Sequence, residues 1–441
     1  MLSRQRSTLI ATLIFGLLSS SAQAQQTVID CGKLLDIKSG VWLDKMSLVT
    51  ERKLIKAVLP SDKIDSGIKV ENRINLTNFY CLPGLIDMHV HLSDETKPQV
   101  EQFRSTLTLD TADIAFRSIK FAERTLLAGF TTVRDLGASD GLNISLKRAI
   151  ENGDVIGPRM FTAGKSIAST GGHADPSNGL NRKFRNAIGK PGPEDGVING
   201  VDSAREAIRS RYQEGADLIK ITATAGVLSQ ASSGDNTQFS DEELQAIVTT
   251  AKDYGFRVAA HAHGNEGIKR ALRAGIDSIE HGTYMDDEAI ALFKQKGAWY
   301  VPTISAGKFV AEKAKIDNYY SPLVQPKAAA IGPRIQSTFT RAYKAGVKIA
   351  FGTDAGVFPH GENAKEFGYM VEAGMSPIAA IRSATVNAAE LLNQTRHLGS
   401  LEAGFAADMI AVKSDPLKDI KVLEQVAFVM KDGKLIKATT K

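Results

Sequence analysis

The residues able to do chemistry in this chain are His89-Val90-His91, Lys220, His261, His281 and Asp354. Imidazole nitrogens and carboxylate oxygens are ligands for zinc and related divalent cations. His89 and His91 stand two apart, so on a strand both side chains leave the same face and can grip one ion. Taken alone, such a pair is more often a structural feature than a ligand pair. His261 and His281 shift that balance, because each also ends a short apolar run. Lys220 lies in the otherwise apolar stretch Leu218-Ile219-Lys220-Ile221. Its ordinary reading is a buried lysine paired with a carboxylate. Beside the histidines, however, a desolvated lysine of depressed pKa could take up CO₂, giving a carbamate able to bridge two metal ions. Asp354, after Phe351-Gly352-Thr353, reads either as a turn or N-cap aspartate or as a ligand that also moves a proton from bound water.

These side chains must be brought together by the elements that carry them. Eight apolar, β-branched runs occur at 85–90, 131–134, 160–163, 218–222, 258–261, 278–281, 299–303 and 347–352. Helical patterns alternate with them, clearest at 111–127, 241–254, 265–274 and 377–392, with Ser240 and Ser376 as N-caps. Alternation of this kind is the signature of βα units and a parallel sheet. Eight units predict an α/β chain folded as a (β/α)₈ TIM-like barrel, whose chemistry gathers at the rim formed by the strand ends. Long excursions at 164–201 and 306–333 follow strands, so both are expected at that rim as lids or binding loops. Short strands and turns at each end of the chain predict one small β-sandwich domain from residues 25–82 and 396–441, around a barrel at 83–395.

Composition narrows the class. The chain has 441 residues, 43% hydrophobic and 23% charged, which are ordinary globular values. Residues 1–24 read as an export signal: Arg4 and Arg6, an apolar run at 8–18, then Ser21-Ala22-Gln23-Ala24. That run is about half the roughly 20 apolar residues a membrane anchor needs, so no stable anchor is expected. An exported, periplasmic or secreted protein follows. Removing the signal takes away two arginines and no acid, so the net charge of +5 becomes +3. Basic residues are dispersed among acidic ones, which gives no footing to a nucleic-acid reading. Cys31 and Cys81 are the only cysteines. Export permits a disulfide between them, and the sequence leaves the pairing open.

Taken together, the residues resemble the amidohydrolase superfamily. The resemblance rests on Pro83-Gly84-Leu85-Ile86-Asp87-Met88-His89-Val90-His91, the strand lysine, the two later histidines, Gly352-Thr353-Asp354-Ala355-Gly356 and the 399–408 stretch. Further stretches, Thr170-Gly171-Gly172-His173, His261-Ala262-His263-Gly264, Glu280-His281-Gly282-Thr283-Tyr284 and Phe358-Pro359-His360-Gly361, look like the imidazolonepropionase-related group of metal-dependent dipeptidases and carboxypeptidases, with its prolidase-like and ochratoxin-hydrolysing members. That resemblance implies two divalent metal ions, expected to be zinc. His89, His91 and Asp354 would hold one, His261 and His281 the other, and carboxylated Lys220 would bridge them. It leaves His173, His263 and Tyr284 to contact substrate, His173 and Tyr284 at the carbonyl oxygen as charge develops. The expected activity is removal of a C-terminal, hydrophobic residue from a dipeptide or N-acyl amino acid, amides of phenylalanine included. Cleavage before proline, arginine or lysine, or hydrolysis of lactones or cyclic amides, is the alternative on the same centre. A periplasmic metal- or peptide-binding protein without activity is the reading from another class. Nothing in the sequence fixes the oligomeric state, which leaves room for a homo-oligomer.

Overall fold

The computed structural model describes residues 26–64 and 72–439. The export-signal reading at 1–24 lies outside them. The eight apolar runs become eight parallel strands in two hydrogen-bonded arcs. One arc contains Leu85–Val90, Phe130–Asp135 and Arg159–Thr162. The other contains Ile219–Thr222, Val258–Ala262, Ser278–His281, Trp299–Val301 and Lys348–Ile349. Nearly every residue in these strands is buried, as expected where helices cover one face and core fills the other. Backbone hydrogen bonds also cross both seams. Asp217 donates to the Thr162 carbonyl at 2.8 Å, and Met88 donates to that of Phe351 at 2.9 Å.

Helices fall where the periodicity placed them, at Thr111–Leu127, Asp241–Asp253 and Asn265–Ala274. Ser240 caps the second with a reciprocal Glu243 contact, and Ser376 accepts from the Ala379 amide at 3.4 Å. Two expectations need correction. The 377–392 helix is broken into Pro377–Ser383 and Val386–Leu391, because the Thr385 backbone leaves helical geometry between them. The 306–333 excursion is not a loop. It consists largely of the helices Ile304–Lys313 and Gln325–Lys344, packed against each other, and the second runs through Pro333. The 164–201 excursion does stay irregular, apart from the short helix Arg182–Ile188 and one two-residue strand pair.

Both chain ends join one seven-stranded sheet. Its order is Lys434–Ala438, Phe428–Lys431, Met409–Val412, Asn72–Pro83, Gln26–Asp36, Val41–Glu51 and Leu54–Pro60. Asp432 and Gly433, at φ 49° and 71°, form the two-residue turn of the C-terminal hairpin, whose mirror-image geometry suits strand twist. Cys31 and Cys81 are fully buried in adjacent strands and joined by a disulfide. No helix among the described residues is long and apolar enough to cross a membrane.

The disulfide spans 50 residues of sequence. Closing a loop of that size restricts the unfolded chain by up to about 4 kcal/mol. The C31S/C81S double variant is therefore expected to unfold at a clearly lower denaturant concentration than the oxidised protein. An unchanged midpoint would show that the bond contributes nothing.

Candidate active site

Six of the chain's eight histidines line a single cavity of about 140 Å³ at the ends of the parallel strands. His89 and His91 end the Leu85–Val90 strand, and their Nε2 atoms approach Asp354 Oδ1 at 3.3 and 3.4 Å. The Nδ1 of His91 donates to the Gly137 carbonyl at 2.9 Å, which turns its Nε2 lone pair inward. His261, His263 and His281 form a second cluster, with one ligand atom from each within 4.8 Å of the others. Thr283 holds His263 Nδ1 and Thr303 holds His281 Nδ1, each at 2.8 Å. Distance alone therefore gives His263 the same standing as the two histidines that the resemblance makes ligands.

Burial drives the electrostatics. It pushes His89, His261 and His281 well below the usual imidazole range, and lowers His263 to about 3 and His173 to about 4. These imidazoles are therefore neutral, the form that offers a lone pair to a cation. Burial also lowers Lys220 to about 8, so a useful share of the amine is unprotonated near neutrality. The Asp354 carboxyl is pushed up to about 6 by the same desolvation. Neutral nitrogens with fixed second nitrogens, plus a carboxylate, suit a pair of divalent cations.

The backbone at the cavity rim is unusual. His281, Thr303 and Asp354 take φ of 72°, 53° and 60°, a left-handed conformation rare for non-glycine residues and concentrated at functional sites. His173 stacks on His261 with ring centres 4.3 Å apart, while its Nδ1 meets Ser229 Oγ at 2.6 Å. That position depends on Gly226, where an added Cβ would lie 2.3 Å from the His173 ring. Tyr284 is outside the cavity lining, half-buried, with the Arg334 guanidinium 5.7 Å from its ring centre.

Two buried networks escaped the sequence reading. In the first, Glu280 Oε2 accepts from His89 Nδ1 at 3.0 Å, and its Oε1 accepts from Arg134 at 2.8 Å and Ser278 at 2.6 Å. Arg134 also donates to the Met88 carbonyl at 2.6 Å, so it grips the strand that carries His89. In the second, Asp87 accepts from the His89 amide, the Thr353 amide and hydroxyl, and Asn363. It thereby pins the turn before Asp354 to the first strand. The available signal was charge inside apolar strands: Asp87 is two residues from His89, and Glu280 is next to His281.

If Glu280 orients His89, E280Q should weaken metal binding by roughly 10–100-fold, the usual effect of losing a ligand's hydrogen-bonding partner. Chelator competition and metal content measure it. R134M should cost about 3–5 kcal/mol of stability, because the Glu280 charge is then buried without its cation. Wild-type metal affinity in E280Q would remove Glu280 from this role.

Comparison with known proteins agrees with this architecture. The amidohydrolase family profile matches residues 80–436. Ochratoxinase from Aspergillus niger is 32% identical over 436 residues, covering 95% of this chain and 88% of the relative. A Xaa-Pro dipeptidase crystallised with methionine bound in its active site is 51% identical, with a TM-score of 0.89 over 93% of this chain and 99% of the other. A prolidase complexed with N-methylphosphonate-L-proline is 32% identical, with a TM-score of 0.82 over 94% of this chain and all of the other. The chain belongs to the amidohydrolase family, in its dipeptidase-like group, and is a hydrolase of amide or peptide bonds.

Proposed function

We propose that this hydrolase removes a C-terminal apolar residue from dipeptides or N-acyl amino acids, amides of phenylalanine included. The observation that carries the reading is the cavity wall. Val227, Leu228, Val310, Ile331, Ile335 and Val357 face the histidine–aspartate cluster, and among the described residues no acidic one besides Asp354 joins the lining. An arginine or lysine side chain would lose its hydration there without gaining a partner. Methionine in the active site of the 51%-identical dipeptidase is in keeping with an apolar residue. Proline is a second reading with support of its own, from that protein's Xaa-Pro activity and from the phosphonate-proline complex of the prolidase.

In this reading the two arcs are one closed (β/α)₈ barrel, with the sheet from the chain ends as its sandwich domain. His89, His91 and Asp354 would hold one zinc and His261 and His281 the other, and Lys220, carboxylated by CO₂ with release of a proton, would bridge them. Such a metal pair supplies an activated water and polarises the scissile carbonyl. Asp354 takes the proton from the attacking water on its carboxylate and delivers it to the amine nitrogen as the carbon–nitrogen bond breaks. The products are a carboxylate and a free amino acid. His173 and His263 line the substrate side of the cavity, and Tyr284 approaches from outside the lining. We also propose export. The signal-like residues 1–24 and the buried disulfide are both in keeping with an oxidising compartment.

A panel of dipeptides and N-acyl amino acids varied at the C-terminal position, with zinc, bicarbonate and a chelated control, tests the reading. Phe, Met or Pro substrates should exceed Arg substrates in kcat/KM by at least about a hundredfold, the scale of an unpaired charge in an apolar wall. A reversed ranking would discard it. K220A should lose both turnover and bound metal, falling below the roughly two ions per chain of a binuclear site. Undiminished activity in K220A would exclude the carbamate.

A further inference from the structure

A second concavity, of about 410 Å³, lies beside the histidine cavity and has no role in the reaction as described. Its apolar surface comes from Phe103, Leu107, Leu180, Leu228, Tyr320 and Val324. Leu228 lines both spaces. The segments behind it are shared as well. The 170–180 loop gives His173 and Ala174 to the inner cavity, and Pro176 and Leu180 to the outer groove. The turn after the Lys220 strand gives Val227 inward and Gln230 outward, where Gln230 accepts from Ser321 at 3.1 Å. The two spaces thus adjoin at Leu228 and are walled by the same two segments.

Two of its lining residues carry a buried polar atom without a partner among the described residues. Tyr320 is only 7% exposed, and its hydroxyl makes no hydrogen bond. Gln102 donates to Asp94, while its own carbonyl oxygen is buried and unpartnered. Buried polar atoms are nearly always paired, and this hydroxyl, set behind the groove wall, gains a partner when a ligand turns the Tyr320 side chain toward the groove. The helix Gln99–Thr108 has no buried residue, and presents Phe103 and Leu107, each 52% exposed, at the groove.

We propose that this groove binds the acyl half of the substrate, and that it selects bulky, apolar acyl groups carrying a hydrogen-bonding atom. A trans amide sends its acyl and amine substituents in opposite directions from the C–N bond. With the C-terminal residue against the Ile331–Ile335 side of the inner cavity, the acyl group leaves past Leu228. This inference rests on the amide-hydrolase specificity proposed above.

The test uses the zinc-loaded full chain with N-acetyl-L-phenylalanine, N-(2-naphthoyl)-L-phenylalanine and its 6-hydroxynaphthoyl analogue, following both hydrolysis and fluorescence-detected binding. Wild type should favour naphthoyl over acetyl in kcat/KM by about tenfold, and F103S or L107S should reduce that ratio by roughly five- to tenfold, the scale of one lost aromatic or aliphatic contact. The hydroxynaphthoyl analogue should bind more tightly than the naphthoyl amide in wild type and lose that advantage in Y320F. Melting curves check that each variant folds. Equal treatment of acetyl and naphthoyl substrates by wild type, or an unchanged ratio in both F103S and L107S, would overturn the proposal. A drop in oligomer mass by light scattering with the ratio unchanged would assign the surface to a second copy instead, and would also overturn it. Naphthoyl binding that weakens in F103S without hydrolysis of any amide would support the groove and refute the amide-hydrolase specificity.

Discussion

Burying a crowd of imidazoles is the constraint on which the rest of this structure depends. Six histidines in one small cavity cannot all be charged, and desolvation keeps those most deeply placed neutral. A neutral imidazole is useful as a ligand only if the correct nitrogen faces inward, so the other nitrogen must be held. The neighbouring strands supply that hold: Glu280 for His89, the Gly137 carbonyl for His91, Thr283 for His263 and Thr303 for His281. Glu280 then needs its own cation, and Arg134 provides it across the interior at 2.8 Å. Desolvation thus propagates from the cavity into the strand floor, which explains why a charged pair is found in an otherwise apolar core.

The same logic accounts for local backbone distortion. Three residues at the rim, His281, Thr303 and Asp354, adopt left-handed conformations. Regular strand continuation would send alternate side chains away from the cavity. Asp87 and Asn363 hold the last of these turns in place through the Thr353 hydroxyl and amide. Strain at the rim is tolerated because buried hydrogen bonds beneath it leave few alternative arrangements.

Around this polar floor the walls are apolar, and they come from the segments that connect the strands. Val227 and Leu228 follow the Lys220 strand, His173 sits on the long 164–201 excursion, and Ile331 and Ile335 belong to the helix at Gln325–Lys344. The strand ends carry the polar groups, and the connecting segments shape both the inner cavity and the outer groove. The sheet from the chain ends lines neither space; part of it closes on its own core beside the Cys31–Cys81 bond, and Leu35, Leu82, Ile410 and Val429 pack into the main core.

Much of this was legible in the sequence, for a physical reason. Eight buried parallel strands need apolar, β-branched runs, so the runs could be counted; the polar side chains interrupting them at one end were conspicuous. The short strands and turns repeated at both chain ends pointed in the same direct way to the one sheet they share. Other features needed the third dimension. Whether Cys31 and Cys81 pair depends on two strands lying side by side, and the helices that replaced the expected 306–333 loop are stabilised by packing on one another. Glu280 and Arg134 are 146 residues apart, and neither charge can be interpreted without the other. The sequence determined which side chains could bind a metal and on which elements they sit. Tertiary structure decided which nitrogen each presents and what space lies beside it, because orientation and cavity shape are set by contacts between segments far apart in the chain.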